Sequence, residues 1–405
     1  MQILNLIFGA LAVLSFALLL WQWIAARRFP LHQRIANSDF APTVTLLKPL
    51  KGCDDSTAES LESWLKQNYN GRIQILFGVA DASDPVCKIV KTLLHKYPQM
   101  EMQLAVCNET LGANAKVSTL IQLEKLAKYD LILVSDADVR VPPDFLANAV
   151  APLRDEKVGL VNCFYRLANP TTTAMQWEAV AINADFWSQV LQSQTLKPLD
   201  FALGATMLTR RKILEDIGGF KSLANCLADD YQLGNRIAKK KYRIELCSMV
   251  VECWEPPKDW RDIWKHQLRW ARTIRVCQPL PYFFSILSNA TLWPLLWLIW
   301  ELPELRTVQT TNPGGISMEM IIFPFALIVA PVFLIFRIIL AHDLQRQLLI
   351  NHQPSTINRP SPFWLVPVKD LLQAAIWLCA FTGNTVEWRG KKMKLRRDGT
   401  LKEID

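Results

Sequence analysis

The first apolar stretch, Ile3 to Ala25, holds no charged residue and then meets Arg27, Arg28 and Arg34. As a helix it is long enough to cross about 30 Å of hydrocarbon. No basic segment precedes it, and Trp21-Gln22-Trp23 reads as an interfacial belt rather than a cleavage site. The pattern therefore predicts a retained anchor over residues 1–28, with the following arginines on the cytoplasmic side. From Thr43 to about Glu255 the rhythm changes. Short buried-strand patterns (Thr43–Leu47, Ile73–Val79, Gln103–Val106, Leu131–Val134, Val158–Cys163, Ala205–Leu208, Ile244–Val251) alternate with amphipathic stretches such as Ser56–Gln67, Val86–Lys96 and Ala115–Lys128. That alternation predicts an α/β domain over 43–255 with a mostly parallel sheet covered on both faces.

Beyond the domain, residues 256–282 interleave Trp260, Trp264 and Trp270 with Lys258, Arg261, Lys265, Arg269, Arg272 and Arg275. This composition suits a helix lying in the headgroup region, although tryptophans of a packed domain helix would read the same way. Membrane segments are expected over 283–382: a second span from about Phe283 to Trp300 and a third from about Met320 to Leu340. Glu301, Glu304 and Glu319 against Arg306 make the connector a non-cytoplasmic loop. Phe363–Phe381 is interrupted by Lys369 and Asp370, and a full span there would place Arg389, Lys391, Lys392, Lys394, Arg396 and Arg397 outside. The charge rule favours a re-entrant or interfacial helix pair, with 383–405 as a basic cytoplasmic tail near anionic headgroups. The expected location is multi-pass in an inner or plasma membrane, with the α/β domain in the cytoplasm.

Composition fits a soluble domain joined to a membrane part: of 405 residues, 51% are hydrophobic and 20% charged, too apolar for disorder and too charged to be wholly embedded. The net charge of +8 could serve nucleic acid, lipid or a phosphorylated substrate. Its strongest cluster lies beside the membrane segments, which excludes a nucleic-acid surface. Nine scattered cysteines, none in a two-residue-gap pair, read as thiols of a reducing compartment.

Ligands of α/β sheets bind beyond the carboxyl ends of strands, and acids stand there. Asp81 follows Ile75–Ala80, and Asp136-Ala137-Asp138 follows Leu131–Ser135. Neither a GxGxxG nor a GxxxxGK[ST] loop is present, which disfavours dinucleotide oxidoreductases and P-loop NTPases. Two carboxylates at i and i+2 suit Mg²⁺ or Mn²⁺, ions that complete their shell with substrate phosphates. Alone the triplet is an ordinary turn motif. Asp229-Asp230-Tyr231 opens a helical stretch, where Asp229 reads equally as an N-cap.

Asp81, Asp136-Ala137-Asp138, Asp230 and Arg269-Trp270 occur in the order of the D, DxD, D, (Q/R)xxRW pattern. With Lys48–Gly52, Asp84-Pro85, Lys128–Ile132, Glu156–Val161, Ala228–Tyr231 and Trp388-Arg389-Gly390, the chain resembles the ceramide glucosyltransferase family over nearly its full length. Glycosyltransferases of hopanoid lipids resemble it too, including around His266 to Arg275. The resemblance implies a GT-A nucleotide-sugar-binding domain, a Rossmann-like mixed sheet, with N-terminal and C-terminal transmembrane helices. It implies that Asp81 and Asp136 hold UDP, Asp138 coordinates the metal, Asp230 is the general base, and Arg269 and Trp270 flank the diphosphate and acceptor. Lys116, in a segment that matches near the nucleotide, reads either so or as a solvated helix charge. His266 stands where the pattern has Gln or Arg, and a one-residue shift would give that role to Gln267.

The implied activity is inverting transfer of a sugar, glucose first, from a UDP-sugar to a membrane-lipid hydroxyl. The alternatives are N-acetylglucosaminyl transfer to a hopanoid lipid and, further off, a processive polysaccharide synthase. The latter needs a secretion channel, for which two or three spans after the domain are too few.

Overall fold

The computed structural model describes residues 2–34, 39–302, 306–311, 317–322, 325–349, 360–388 and 391–404. The hydrophobic runs of the central region become an eight-stranded sheet: β1 (Val44–Leu50), β2 (Ile73–Val79), β3 (Glu101–Val106), β4 (Leu131–Ser135), β5 (Val139–Arg140), β6 (Val158–Leu167), β7 (Thr206–Arg210) and β8 (Arg243–Cys253). Their order is β3-β2-β1-β4-β7-β6-β8-β5. The β3-β2-β1-β4 half is parallel, as alternation with helices predicts. In the other half β6 and β8 pair parallel, while β7 runs antiparallel to β4 and β6, and β5 antiparallel to β8. The sheet is therefore mixed but mostly parallel, as expected: β7 and β5 run against the direction shared by the other six strands. Strand direction depends on the path of the connections, which hydrophobic spacing does not encode.

This topology sets up a site. Leu50, Val79 and Val106 stand in register at the ends of β1, β2 and β3, with Ser135 ending β4 beside them. The segments after β2 and β4 thus leave the same sheet edge. Because β7 enters antiparallel, with Thr206 opposite Ser135, residues 204–205 reach that edge from the other direction.

Helices on both faces fill two cores. One gathers Leu47, Leu76, Val117 and Leu120 with Trp177, Trp187 and Phe164; the other holds Leu46, Ile75, Phe77, Trp64 and Phe145. Side-chain caps fix key starts: Asn114 accepts from the Val117 amide at 3.1 Å and Asp259 from the Asp262 amide at 2.8 Å. One long helical run, Thr173–Leu196, passes through a π-helical stretch at Ala181–Phe186.

Among the described residues, two helices are long and apolar enough to cross a membrane, Gln2–Arg28 and Phe325–Gln347. The expected continuous second span is instead a pair, Pro279–Ser288 and Leu292–Glu301, bent by 49°. Asn289 accepts from the Thr291 and Leu292 amides at the break, and its own amide donates to the Asp370 carbonyl. The third span starts at Phe325, later than the apolar pattern indicated, while Met320 belongs to a strand, Ser317–Ile322. Glu301, expected in a solvated loop, is buried and accepts from the Ala326 amide at 2.9 Å. Trp297 packs inward and donates to Asn5, and Trp300 meets Phe8, so these aromatics join the bent pair to the N-terminal helix.

Phe363–Phe381 gives a single 17-residue helix, Leu365–Phe381, with Lys369 and Asp370 buried. The basic segment after it is not a loose tail. Thr385–Trp388, Lys391–Leu395 and Leu401–Glu403 form an antiparallel sheet over Leu227, Val386, Met393, Leu395 and Leu401. Arg389 and Gly390 lie outside the described residues.

Candidate active site

Lys116 draws the acids together. Its ammonium lies 2.7 Å from Asp136 Oδ1 and 3.3 Å from Asp229 Oδ2. Burial disfavours the Lys116 charge, but Asp136 and Asp229 more than offset it, and the pKa rises overall. Asn114, the residue that caps the same helix, donates to the Cys226 carbonyl at 2.8 Å and reaches Asp229 Oδ1 at 3.5 Å. Asp229 is therefore a partner of Lys116 and Asn114; the helix it opens has Ala228 as its N-cap and no side-chain cap bond. Lys116 is thus an ion-paired, largely buried group and not a solvated helix charge.

Asp230 faces the antiparallel entry to β7. A Cβ built on Gly204 would stand 2.8 Å from Asp230 Oδ2, so only glycine leaves room for this carboxylate. The other oxygen accepts from the Tyr231 amide at 2.7 Å. Burial, then the adjacent Asp229, push the Asp230 carboxyl up to about 6, against the opposing pull of Lys116.

The Asp-Ala-Asp turn is held from below. Lys48, fully buried in β1, donates to the Asp136 carbonyl and to Ser135 Oγ at 3.3 Å, over the Trp64 ring. The Asp136 amide donates to the Ala205 carbonyl, and the Trp254 amide to the Asp138 carbonyl. Burial, then Asp136 and Glu255, push the Asp138 carboxyl up to about 7, while burial brings Lys48 down to about 7. Among the described residues, no group of three or more His, Cys, Asp or Glu side chains forms a ready cage for a metal. Two carboxylates that repel each other in a part-buried turn fit a hard divalent cation, provided phosphate oxygens and water complete its shell.

Asp81 stands apart on the exposed end of β2, where its Oδ1 accepts from the Ser83 amide at 2.8 Å and that bond lowers its pKa. The Trp260–Cys277 helix carries the last motif on two faces. His266 Nδ1 lies 2.7 Å from Glu178 Oε1, and Gln267 donates to the same oxygen at 2.8 Å. Glu178 is fully buried. Burial opposes its charge, yet the His266 and Gln267 contacts bring its pKa below the ordinary value. Trp270 packs edge-on to His266 and beside Phe186. Arg269 lies on the other face, lining a cavity shared with the C-terminal sheet. The motif therefore does not converge on one point.

Sequence reasoning did not single out Lys48, Glu178 or Gly204's role beside Asp230. Two of these carry a legible signal: a lysine inside a buried strand pattern and a glutamate flanked by Trp177 and Ala179.

A mixed sheet bearing an Asp-x-Asp turn at its parallel edge, with two helices outside it long and apolar enough to cross a membrane, defines a membrane-associated glycosyltransferase of the GT-A fold. Over 93% of its length the chain superposes on all but 1% of a mannosyltransferase, PcManGT from Pyrobaculum calidifontis, solved with GDP-Man and Mn²⁺, at a TM-score of 0.51 and 20% identity. Residues 7–401 match the Glycosyl transferase family 21 model, and the chain belongs to that family. It is similar to ceramide glucosyltransferase 3 of Caenorhabditis elegans (27% identity; 55% of this chain, 48% of that one). It is also similar to the ceramide glucosyltransferase of Candida albicans (35% identity; 30% of this chain, 25% of that one). The matched regions thus span about half or less of these relatives' own lengths.

Proposed function

We propose that this chain moves glucose from UDP-glucose to the primary hydroxyl of a ceramide-like membrane lipid, with inversion at the anomeric carbon. The observation that carries this reading is the cluster of Asp136, Asp229 and Asp230 around Lys116. It stands at the carboxyl-end edge of the sheet, where ligands of α/β sheets bind, in a chain of family 21. The family's relatives supply the lipid and the sugar.

Asp81 would take the uridine side of the donor at the end of β2, with Asp136 on the ribose and phosphates. Asp136 and Asp138 would hold Mg²⁺ or Mn²⁺, which supplies charge neutralisation for the departing diphosphate. Asp230 would accept the proton of the attacking hydroxyl. Its raised pKa leaves it ionised at neutral pH yet basic enough to share a proton in the transition state. Lys116 pairs with Asp136 and Asp229 and so sets them apart from that role. Trp270, His266 and Gln267 would form a wall that meets the acceptor, while Arg269 faces away from it toward the C-terminal sheet. Since Glu178 occupies His266 Nδ1 and the Gln267 amide, these two would act by fixing the Trp270 ring over the acceptor path.

The three helical units in the membrane would be Gln2–Arg28, the bent 279–301 pair and Phe325–Gln347. The 43–255 unit and the C-terminal sheet would lie in the cytoplasm, consistent with Arg27 and Arg28 at the inner end of the first helix.

The test is purified chain with labelled UDP-glucose, Mn²⁺ and ceramide in mixed micelles, followed by mass spectrometry of the lipid. A β-glucosylceramide is expected. Asp230→Asn should lower kcat by roughly 10²–10⁴-fold, the worth of positioned proton transfer. Near-normal turnover by that variant would remove Asp230 from the base role, and absence of lipid product from the parent chain would sink the reading.

A further inference from the structure

A cavity of about 210 Å³ opens between the Trp260–Cys277 helix and the C-terminal sheet. Lys265, Arg269 and Arg272 line it from the helix, and Thr385, Glu387 and Lys392 from the strands. The charge is four cations against one acid, and Lys265 already pairs with that acid at 2.9 Å. Arg272 donates to the Thr385 carbonyl. Even so, among the described residues the Nε atoms of Arg272 and of neighbouring Arg275 are buried without a hydrogen-bond partner. Burial and then Arg275 lower the Arg272 pKa, the mark of a guanidinium in a crowded positive field. A phosphate, which offers several oxygens in bidentate geometry, complements the ammonium and guanidinium groups that line the recess.

The neighbouring surface is apolar. Arg275 lies over the Phe381 ring at 5.6 Å and donates to the Gly383 carbonyl at 3.2 Å. Phe381 in turn contacts Phe283 and Trp377. Leu280, Phe283, Phe284, Leu378 and Phe381 are all exposed, on two helices that end beside the cationic cavity. A cationic recess bordered by an exposed aromatic patch is complementary to an amphiphile with an anionic head.

We propose that this cavity binds the phosphate headgroup of an anionic phospholipid of the surrounding bilayer, with an acyl chain along the Phe283–Phe381 patch. A phosphatidylcholine head also carries phosphate, but its quaternary ammonium meets the same cations unfavourably. Soluble phosphate would gain only the polar half of the contact. The site is independent of which lipid serves as sugar acceptor, and its test does not read turnover.

The probes are phosphatidylglycerol and phosphatidylcholine brominated on the acyl chain, each titrated into nanodiscs of the full chain while tryptophan emission is followed. Trp377 contacts the Phe381 of the patch and is the expected reporter. Brominated phosphatidylglycerol should quench at a clearly lower mole fraction than the choline lipid. Lys392→Glu, an exposed strand position, should weaken that preference roughly five-fold or more, since one cation beside anionic lipid is worth about 1 kcal/mol. Arg272→Gln should do the same, so a folding defect in either variant leaves the other to decide. Equal quenching by the two lipids, or a preference that survives both substitutions, would overturn the proposal. Displacement by inorganic phosphate at matched ionic strength would reassign the cavity to soluble anions. Displacement by UDP would make it part of the donor site, and either result defeats the lipid assignment.

Discussion

Gly204 decides where Asp230 can stand. No other side chain leaves its Oδ2 in place, because a Cβ would come within 2.8 Å. Gly204→Ala is therefore expected to cost roughly 10²-fold in kcat, the scale of an ångström-sized misplacement of a reacting group, while thermal stability stays near that of the parent. Loss of melting temperature with normal kcat would contradict this. As the proposed base, Asp230 would also set a pH limit. Its carboxyl titrates near 6, above the ordinary carboxylate value, so kcat should rise with pH through about 6 and Asp230→Asn should flatten that limb. Stability moves the opposite way: the folded state holds this proton more tightly than the unfolded chain, a preference lost as pH climbs from the ordinary carboxylate range through about 6. A pH–rate profile with a parallel melting series reads both. At this scale the acids were legible because each follows a strand or opens a helix. Lys116's role was not, since a lysine on a helix looks solvated until its neighbours are known.

The C-terminal sheet does more than follow the membrane part. The Leu401 amide donates to the Asn225 carbonyl at 2.7 Å, the Leu227 amide donates to the Gly399 carbonyl, and Cys226 bridges Thr400. These bonds fix the segment that leads directly into Asp229 and Asp230. Behind them the sheet rests on a five-residue cluster. Leu395→Ala should cost about 2–5 kcal/mol, the range for a buried leucine, and so small a cluster cannot absorb it. The expected result is new proteolytic cleavage within 385–404 together with reduced turnover; intact turnover after such cleavage would show that the sheet does not support the site. The sequence displayed this segment as a run of basic residues. Alternating Val386, Met393 and Leu395 were hidden among the lysines, and their partner, Leu227, lies far back in the chain.

Catalytic and membrane parts are joined by a buried ionic node. Arg337, inside the Phe325–Gln347 helix, bonds Asp185 at 2.9 Å and Asp370 through two bonds at 2.8 Å. Lys369 reaches both acids, and Thr291 donates to Asp370. Asp185 sits in the π-helical stretch, where the extra residue per turn redirects the side chains. Two cations balance two anions. Arg337→Leu would leave Lys369 alone against both carboxylates and should cost about 3–5 kcal/mol, seen as a lowered melting temperature in detergent. Adding Asp370→Asn restores the balance and should recover most of that loss. If the double variant melts no higher than the single, the node does not act as a charge-balanced unit. Lys369 and Asp370, which argued against a span on composition, are thus accommodated by partners on three other segments.

Local pattern by itself determined the long N-terminal apolar helix, the strands and helices of the α/β region and the Asp-Ala-Asp turn at a strand end. Each is written within a dozen or so neighbouring residues, where hydrophobic period and strand-end position act directly. The tertiary structure alone decided that β7 enters backwards to bring Gly204 to Asp230, that Lys116 joins acids from two elements, and that Glu178 grips the motif helix. It also decided the bend after Ser288 and the sheet made from the basic end. All of these are contacts between segments remote in sequence, fixed by strand order, strand direction and the matching of buried charges, and no local period encodes them.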